Sequence, residues 1–183
     1  MAKVAQVIHP KTKPLARHTP GIDNPVLKHW RDAVPNDRLA HLIKDATRVL
    51  LRSLQLRLVQ HGVHLGHWTF LRVLWERDGL TQRELSLDAG VMEPTTVIAL
   101  RAMESLGYVT REHRPDNRKN LYVCLTPKGR DLKQVLVPLA QEVNAVALTG
   151  LSDGDVAVVR RALLAMIGNL SQDPAITDGA KDA

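Results

Sequence analysis

The sequence predicts a mainly α-helical protein, about six helices, carrying one small β-hairpin. Three observations predict it. Apolar residues recur at intervals of three and four through most of residues 37–172. One stretch, residues 108–125, changes period, with Leu121, Val123 and Leu125 alternating after a polar turn. Glycines and capping residues punctuate the joints between these patterns.

Residues 1–36 hold Pro10, Pro14, Pro20, Pro25 and Pro35 and little periodicity, which reads as a basic, extended arm with Trp30 anchoring its end. From Asp37 a helix begins, with Leu39, Leu42, Ile43, Ala46, Val49, Leu50, Leu54 and Leu58 on one face. Leu51, Leu56 and Val59 lie off that face, so this helix is expected to pack against its own domain and against a second subunit. Gly62 and Gly66 interrupt it. A second helix opens near His67 and runs through Trp68, Phe70, Leu71 and Leu74 to a cap at Gly79.

Thr81 followed by Glu84 has capping-box spacing and starts a short helix anchored by Leu85 and Leu87, with Gly90 as the turn. Pro94 sits in the first turn of the next helix, where its missing N–H costs nothing. Val97, Leu100, Met103 and Leu106 are its expected buried stripe. Tyr108–Glu112 and Leu121–Leu125 read as strands joined by the polar, basic RPDNRKN. A long helix follows from Pro127 to about Leu148, with a kink expected at Pro138. Ser152 and Asp155 cap a last helix, and 173–183 reads as a tail.

The bulk numbers narrow the function. The net charge of +6 is uneven: residues 1–48 carry nine Lys/Arg against four Asp/Glu, residues 49–130 twelve against eight, and residues 131–183 four against seven. The basic part thus precedes residue 131, which suits a polyanion partner. One cysteine, Cys124, allows no internal disulfide and fits a reducing cytoplasm. No apolar run is long enough to span a bilayer, and the N-terminus lacks a signal-peptide core, so no membrane partner is expected. No GxSxG, phosphate loop, HExxH or paired-cysteine motif supports an enzyme, and no cofactor is expected.

Two helices joined by a glycine turn, followed by a basic hairpin, form a winged helix-turn-helix. The major groove of B-DNA admits one α-helix, and the preceding helix braces it. The helix from Pro94 is expected to turn Thr95, Thr96, Ala99 and Arg101 outward. Thr81, Gln82 and Arg83 at the start of the bracing helix complete the candidate helix contacts. On the hairpin, Arg111, Arg114, Asn117, Arg118 and Lys119 are candidates for phosphates and the minor groove.

Residues 81–132 resemble the winged helix of MarR-type transcription regulators, and the helices from 37 to 172 follow that family's order. Asp116 and Arg118 match its wing signature, and LTPKGR its approach to the next helix. The chain departs from the common pattern at Ile98, where the family often carries Arg, and at Arg101–Ala102, where it often carries Asp–Arg. The resemblance implies a homodimer on a near-palindromic double-stranded DNA operator, usually repressing, and released by a small organic effector such as an aromatic acid. It also implies a division into first dimerisation helix and hinge (37–66), DNA-binding lobe (67–125) and C-terminal dimerisation helices (126–172).

HGVHLGHW, residues 61–68, is the remaining motif. Zinc held by His61, His64 and His67 is one reading. At about 100° per residue, His61 and His67 would stand roughly 240° apart on a continuous helix, which argues against it. A ligand pocket is the second reading, with one or two of His61, His64 and His67 donating to a ligand's carboxylate, phenol or thioester oxygen, Trp30 and Trp68 stacking on a ring and Arg48, Arg52 and Arg57 meeting an acid. A helix corner is the third.

Overall fold

The computed structural model describes residues 39–114 and 117–175, and of Arg118 only the backbone. The arm 1–36 with Trp30, Asp116 of the wing signature, and most of the tail lie outside the described residues. Six α-helices and a three-stranded sheet appear among those described. In chain order they are α1 (Leu39–Leu58), a 3-10 turn (Val59–His61), α2 (Leu65–Glu76), β1 (Leu80–Thr81), α3 (Gln82–Ala89), α4 (Glu93–Ser105), β2 (Val109–Arg114), β3 (Asn117–Leu125), α5 (Pro127–Ala147) and α6 (Asp153–Leu170). The elements from α1 to α5 form one compact unit, and α6 falls in a separate one.

The core of the first unit draws on every element of the lobe. Phe70, Leu71 and Leu74 of α2, Leu85 of α3, Leu100 and Met103 of α4, and Val109 and Val123 of the sheet are fully or nearly fully buried. Leu58 of α1 and Leu136 of α5 join them. Each such side chain contributes about 1.5–3 kcal/mol. On α1 only Leu54 and Leu58 are buried; Leu39, Leu42, Val49, Leu51 and Leu56 remain exposed. Among the described residues, the apolar faces that the periodicity finds on α1 are therefore fully buried only near its C-terminal end.

The sheet differs from expectation. β1 pairs with β3 (Leu80 opposite Val123, Thr81 opposite Tyr122), so the hairpin gains a third strand and the order is β1-β3-β2. Two residues are too short a run for alternation to reveal. The hairpin strands also reach further toward the tip, to Arg114 and from Asn117, with a register irregularity at His113/Arg114. Gly79 is not the cap of α2, which closes at Arg77; at φ 73 it turns the chain toward β1. Leu87, expected as an anchor, is 72% exposed, and Leu106 is also exposed.

The start of α5 is the tightest joint. Thr126 receives the Gly129 N–H on Oγ1 at 3.0 Å, and its hydroxyl donates to the Gly107 carbonyl at 2.6 Å. Its own N–H bonds to Tyr108 O at 3.0 Å. This draws Gly129 so close to the Tyr108 backbone that a Cβ would lie 2.0 Å from Tyr108 O. The Gly129 carbonyl in turn accepts from Trp75 Nε1 at 2.9 Å. The LTPKGR motif is thus a helix cap and a glycine imposed by contact.

Gly129→Ala is expected to destabilise the protein by about 1–3 kcal/mol or more in urea unfolding, as overpacking does. Gly66→Ala, at a helical site with open space around it, should stabilise by about 0.5–1 kcal/mol.

Candidate nucleic-acid interface and effector site

The turn between α3 and α4 is closed by backbone and hydroxyl together. Gly90 adopts the left-handed conformation at φ 62, and its N–H bonds to Leu87 O. Ser86 Oγ donates to Val91 O, and the Thr96 hydroxyl lies 3.1 Å from Ser86 Oγ and 3.2 Å from Met92 O. Thr96 is completely buried. It does not face outward as expected; it joins Leu100 and Met103 in the buried stripe and locks α4 onto α3. The capping box holds as read: Thr81 Oγ1 accepts the Glu84 N–H, and Glu84 accepts from the Thr81 N–H at 2.8 Å. The Thr81 hydroxyl, which donates to Glu84 Oε2 at 2.7 Å, and then the Thr81 N–H hold the Glu84 carboxyl below the usual carboxylate range.

With Thr96 turned inward, the outward face of α4 consists of Pro94, Thr95, Ile98 and Arg101, all exposed, with Ala99 half-buried at its margin. Arg83 on α3 is exposed and lies 4.0 Å from Glu93, while Thr81 and Gln82 are half-buried.

The wing basic residues divide. Arg111 is not free: its Nε donates to Glu104 at 3.0 Å and its guanidinium is mostly buried in that pair, which keeps the Glu104 carboxyl low. Arg114 stacks 4.0 Å over the Tyr122 ring and donates to Gly79 O at 2.9 Å, tying the hairpin to β1. Asn117 accepts the backbone N–H groups of Lys119 and Asn120, shaping the tip. Lys119 is exposed, and the Arg118 side chain lies outside the described residues. At the base of the wing an open groove of about 640 Å³ is lined by Arg77, Asp78, Thr81, Glu84 and Arg114, so both signs of charge meet there.

At the joint of α1 and α2, Gly62 is left-handed at φ 71 and its carbonyl accepts the Tyr108 hydroxyl at 3.2 Å. His61 and His64 are exposed, whereas His67 is 9% exposed and its Nδ1 has no hydrogen-bond partner. The His67 ring packs edge-on to His64 at 5.6 Å and to Tyr108 at 6.4 Å. Burial, and secondarily the His64 charge, pushes the His67 pKa below the ordinary value. Among the described residues no three His, Cys, Asp or Glu side chains are grouped to hold a metal ion, so the zinc reading of the triplet has no geometric support. Trp68 is not an open pocket wall; it is 7% exposed and packs edge-on to Trp75 at 5.6 Å. Arg48 pairs with Asp45 at 3.1 Å, Arg57 with Glu142 of α5 at 3.4 Å, and Arg52 is exposed. Cys124 is half-buried, and burial together with Asp78 and Glu112 pushes its thiol up, opposite to a reactive thiolate.

A braced outward helix followed by a hairpin wing defines a winged helix-turn-helix, and the MarR family model matches residues 64–121. That match covers 58 of the 183 residues and gives the chain a MarR-type helix-turn-helix domain, the DNA-binding domain of a transcriptional regulator. Among curated relatives it is similar to the HTH-type transcriptional regulator TtmR of Methylorubrum extorquens, 29% identical over 143 residues, which cover 75% of this chain and 68% of the relative. Among solved structures it is similar to a MarR family regulator of Listeria monocytogenes complexed with 26mer DNA (TM-score 0.67, 22% identical, covering 74% of this chain and 90% of that one). It is also similar to Bordetella bronchiseptica BpsR, whose DNA binding is regulated by 6-hydroxynicotinic acid (TM-score 0.65, 18% identical, covering 71% and 98%). No helix among the described residues is long and apolar enough to cross a membrane.

Thr96→Val should lower stability by about 1 kcal/mol in chemical unfolding, because it removes a buried hydroxyl bond without altering volume. His67 adds a pH term. Its folded pKa lies below the unfolded one, so the unfolded state binds more protons once pH falls through about 6.5. Stability is fully present above that value and is lost as pH drops toward the folded pKa. Urea midpoints measured between pH 8 and 5 should show this loss, and His67→Gln should flatten it.

Proposed function

We propose that this protein is a ligand-responsive, sequence-specific repressor that binds a near-palindromic operator as a homodimer and leaves it when a small aromatic acid, or its CoA thioester, binds. The observation that carries the reading is the outward face of α4: Thr95, Ile98 and Arg101 stand exposed on a helix whose opposite face is locked by Thr96. A hydroxyl and a guanidinium on one groove-sized helix match base edges and phosphates. Arg83, Arg118 and Lys119 supply further phosphate contacts.

The homodimer is supported by apolar side chains left uncovered on α1 (Leu39, Leu42, Val49) and, separately, on α6 (Val159, Leu163, Ile167, Leu170). A second copy would bury such surface. The effector reading is supported by the α1–α2 joint, where the buried His67 nitrogen can meet a ligand's acidic oxygen and His64 stands at the surface beside it. The relative whose DNA binding responds to 6-hydroxynicotinic acid suggests the ligand class. Release then requires tighter effector binding by a dimer whose reading helices miss a spacing of roughly 34 Å.

Binding to the protein's own promoter region, titrated with salt, tests the DNA contacts. Affinity should fall steeply with salt, and Arg101→Ala should cost about tenfold. A salt slope near zero would sink the reading. Aromatic acids and their CoA thioesters, assayed beside zinc and a chelator, should release the DNA; release by metal alone would overturn the effector class. His64→Ala should weaken release and leave operator affinity intact.

A further inference from the structure

The outward face of α4 carries a residue that charge and hydrogen bonding do not use. Ile98 is 70% exposed, at the centre of the face between Thr95 and Arg101. It shares none of the core that buries Leu100 and Met103 two and five residues on. A β-branched side chain at this position gains nothing in helix propensity. In the major groove one group offers it apolar contact, the C5 methyl of thymine.

We propose that Ile98 is a specificity-determining residue that reads a thymine methyl in each operator half-site. The proposal rests on α4 being the reading helix, and it names the base class that this helix selects. Residues three apart on a helix are separated by about 4.5 Å along its axis. Base pairs are stacked roughly 3.4 Å apart. Ile98 and Arg101 therefore reach neighbouring steps, and the thymine lies one or two base pairs from the guanine that Arg101 pairs with. Because Ile98 carries no charge, its contact adds discrimination and no salt dependence.

The test selects preferred duplexes from a randomised pool with the full-length protein. Each thymine of the selected half-site is then replaced in turn by deoxyuridine, which removes only the methyl. At one thymine per half-site, beside the guanine that Arg101→Ala ceases to select, deoxyuridine should weaken wild-type binding about fourfold. Ile98→Ala should bind both duplexes alike, with an unchanged salt slope. The exposed position makes its folding cost small, and an unchanged thermal midpoint would confirm that. Equal deoxyuridine penalties in wild type and Ile98→Ala, or no penalty at any thymine, would overturn the assignment while leaving operator binding standing. A pool that enriches no sequence would overturn both.

Discussion

The rest of the lobe depends on one backbone contact, that of Gly129 with Tyr108. It exists because position 129 has no Cβ and because Thr126 bonds in both directions, accepting the Gly129 N–H to cap α5 and donating to the carbonyls of the chain that leaves α4. Trp75 closes the arrangement from α2, and Lys128 Nζ bonds to Leu106 O while lying over the Tyr108 ring. The end of the reading helix, the first wing strand, the second helix and the long fifth helix therefore meet within a few residues. A second joint reinforces it. Asp78 Oδ1 accepts from the Gly79 and Leu125 N–H groups, and Oδ2 accepts from Arg130, so one carboxylate links the end of α2 to β3 and α5.

This framework explains why so much positive charge near the wing is structural. A reading helix discriminates base edges only if its supports hold it to a fraction of an ångström. Arg111 is committed to Glu104 on α4, Arg114 to Tyr122 and Gly79, Arg130 to Asp78, and Arg77 to Asp88 at 2.9 Å. The first of these pairs ties the wing strand directly to α4. The more exposed pairs, Arg130 with Asp78 and Arg77 with Asp88, add little stability each. Their geometry still fixes how wing, sheet and helix stand to one another.

Most of the fold was legible because its signals are local. Capping residues marked the starts of α3 and α6, and apolar period marked α2 and α4. The alternation of Leu121, Val123 and Leu125 correctly assigned the inner face of β3. Thr96 was misread because a threonine looks polar, although it stands four residues before Leu100 and seven before Met103, on their stripe. That spacing was the available signal. The partners of Arg111, Arg114 and His67 come from other elements, and no period along the chain encodes them. Leu87 shows the converse: its type fits a core, and its place on a short two-turn helix leaves it outside.

The same contacts define how an effector at the histidine joint would reach the DNA face. Tyr108 bonds through its hydroxyl to Gly62 O and packs against His67, while its backbone follows directly on Gly107, which ends α4. One residue thus touches the α1–α2 joint and the end of the reading helix. Burial pushes its phenol up, so it stays protonated and keeps donating across the working pH range. A ligand that rotated His67 or opened Gly62 would change what Tyr108 packs on, and α4 would shift with it because Gly129 leaves no slack at its backbone. On the proposed effector reading, the same close packing that fixes α4 would carry the signal, since a close-packed joint passes on a small displacement where a loose one would absorb it.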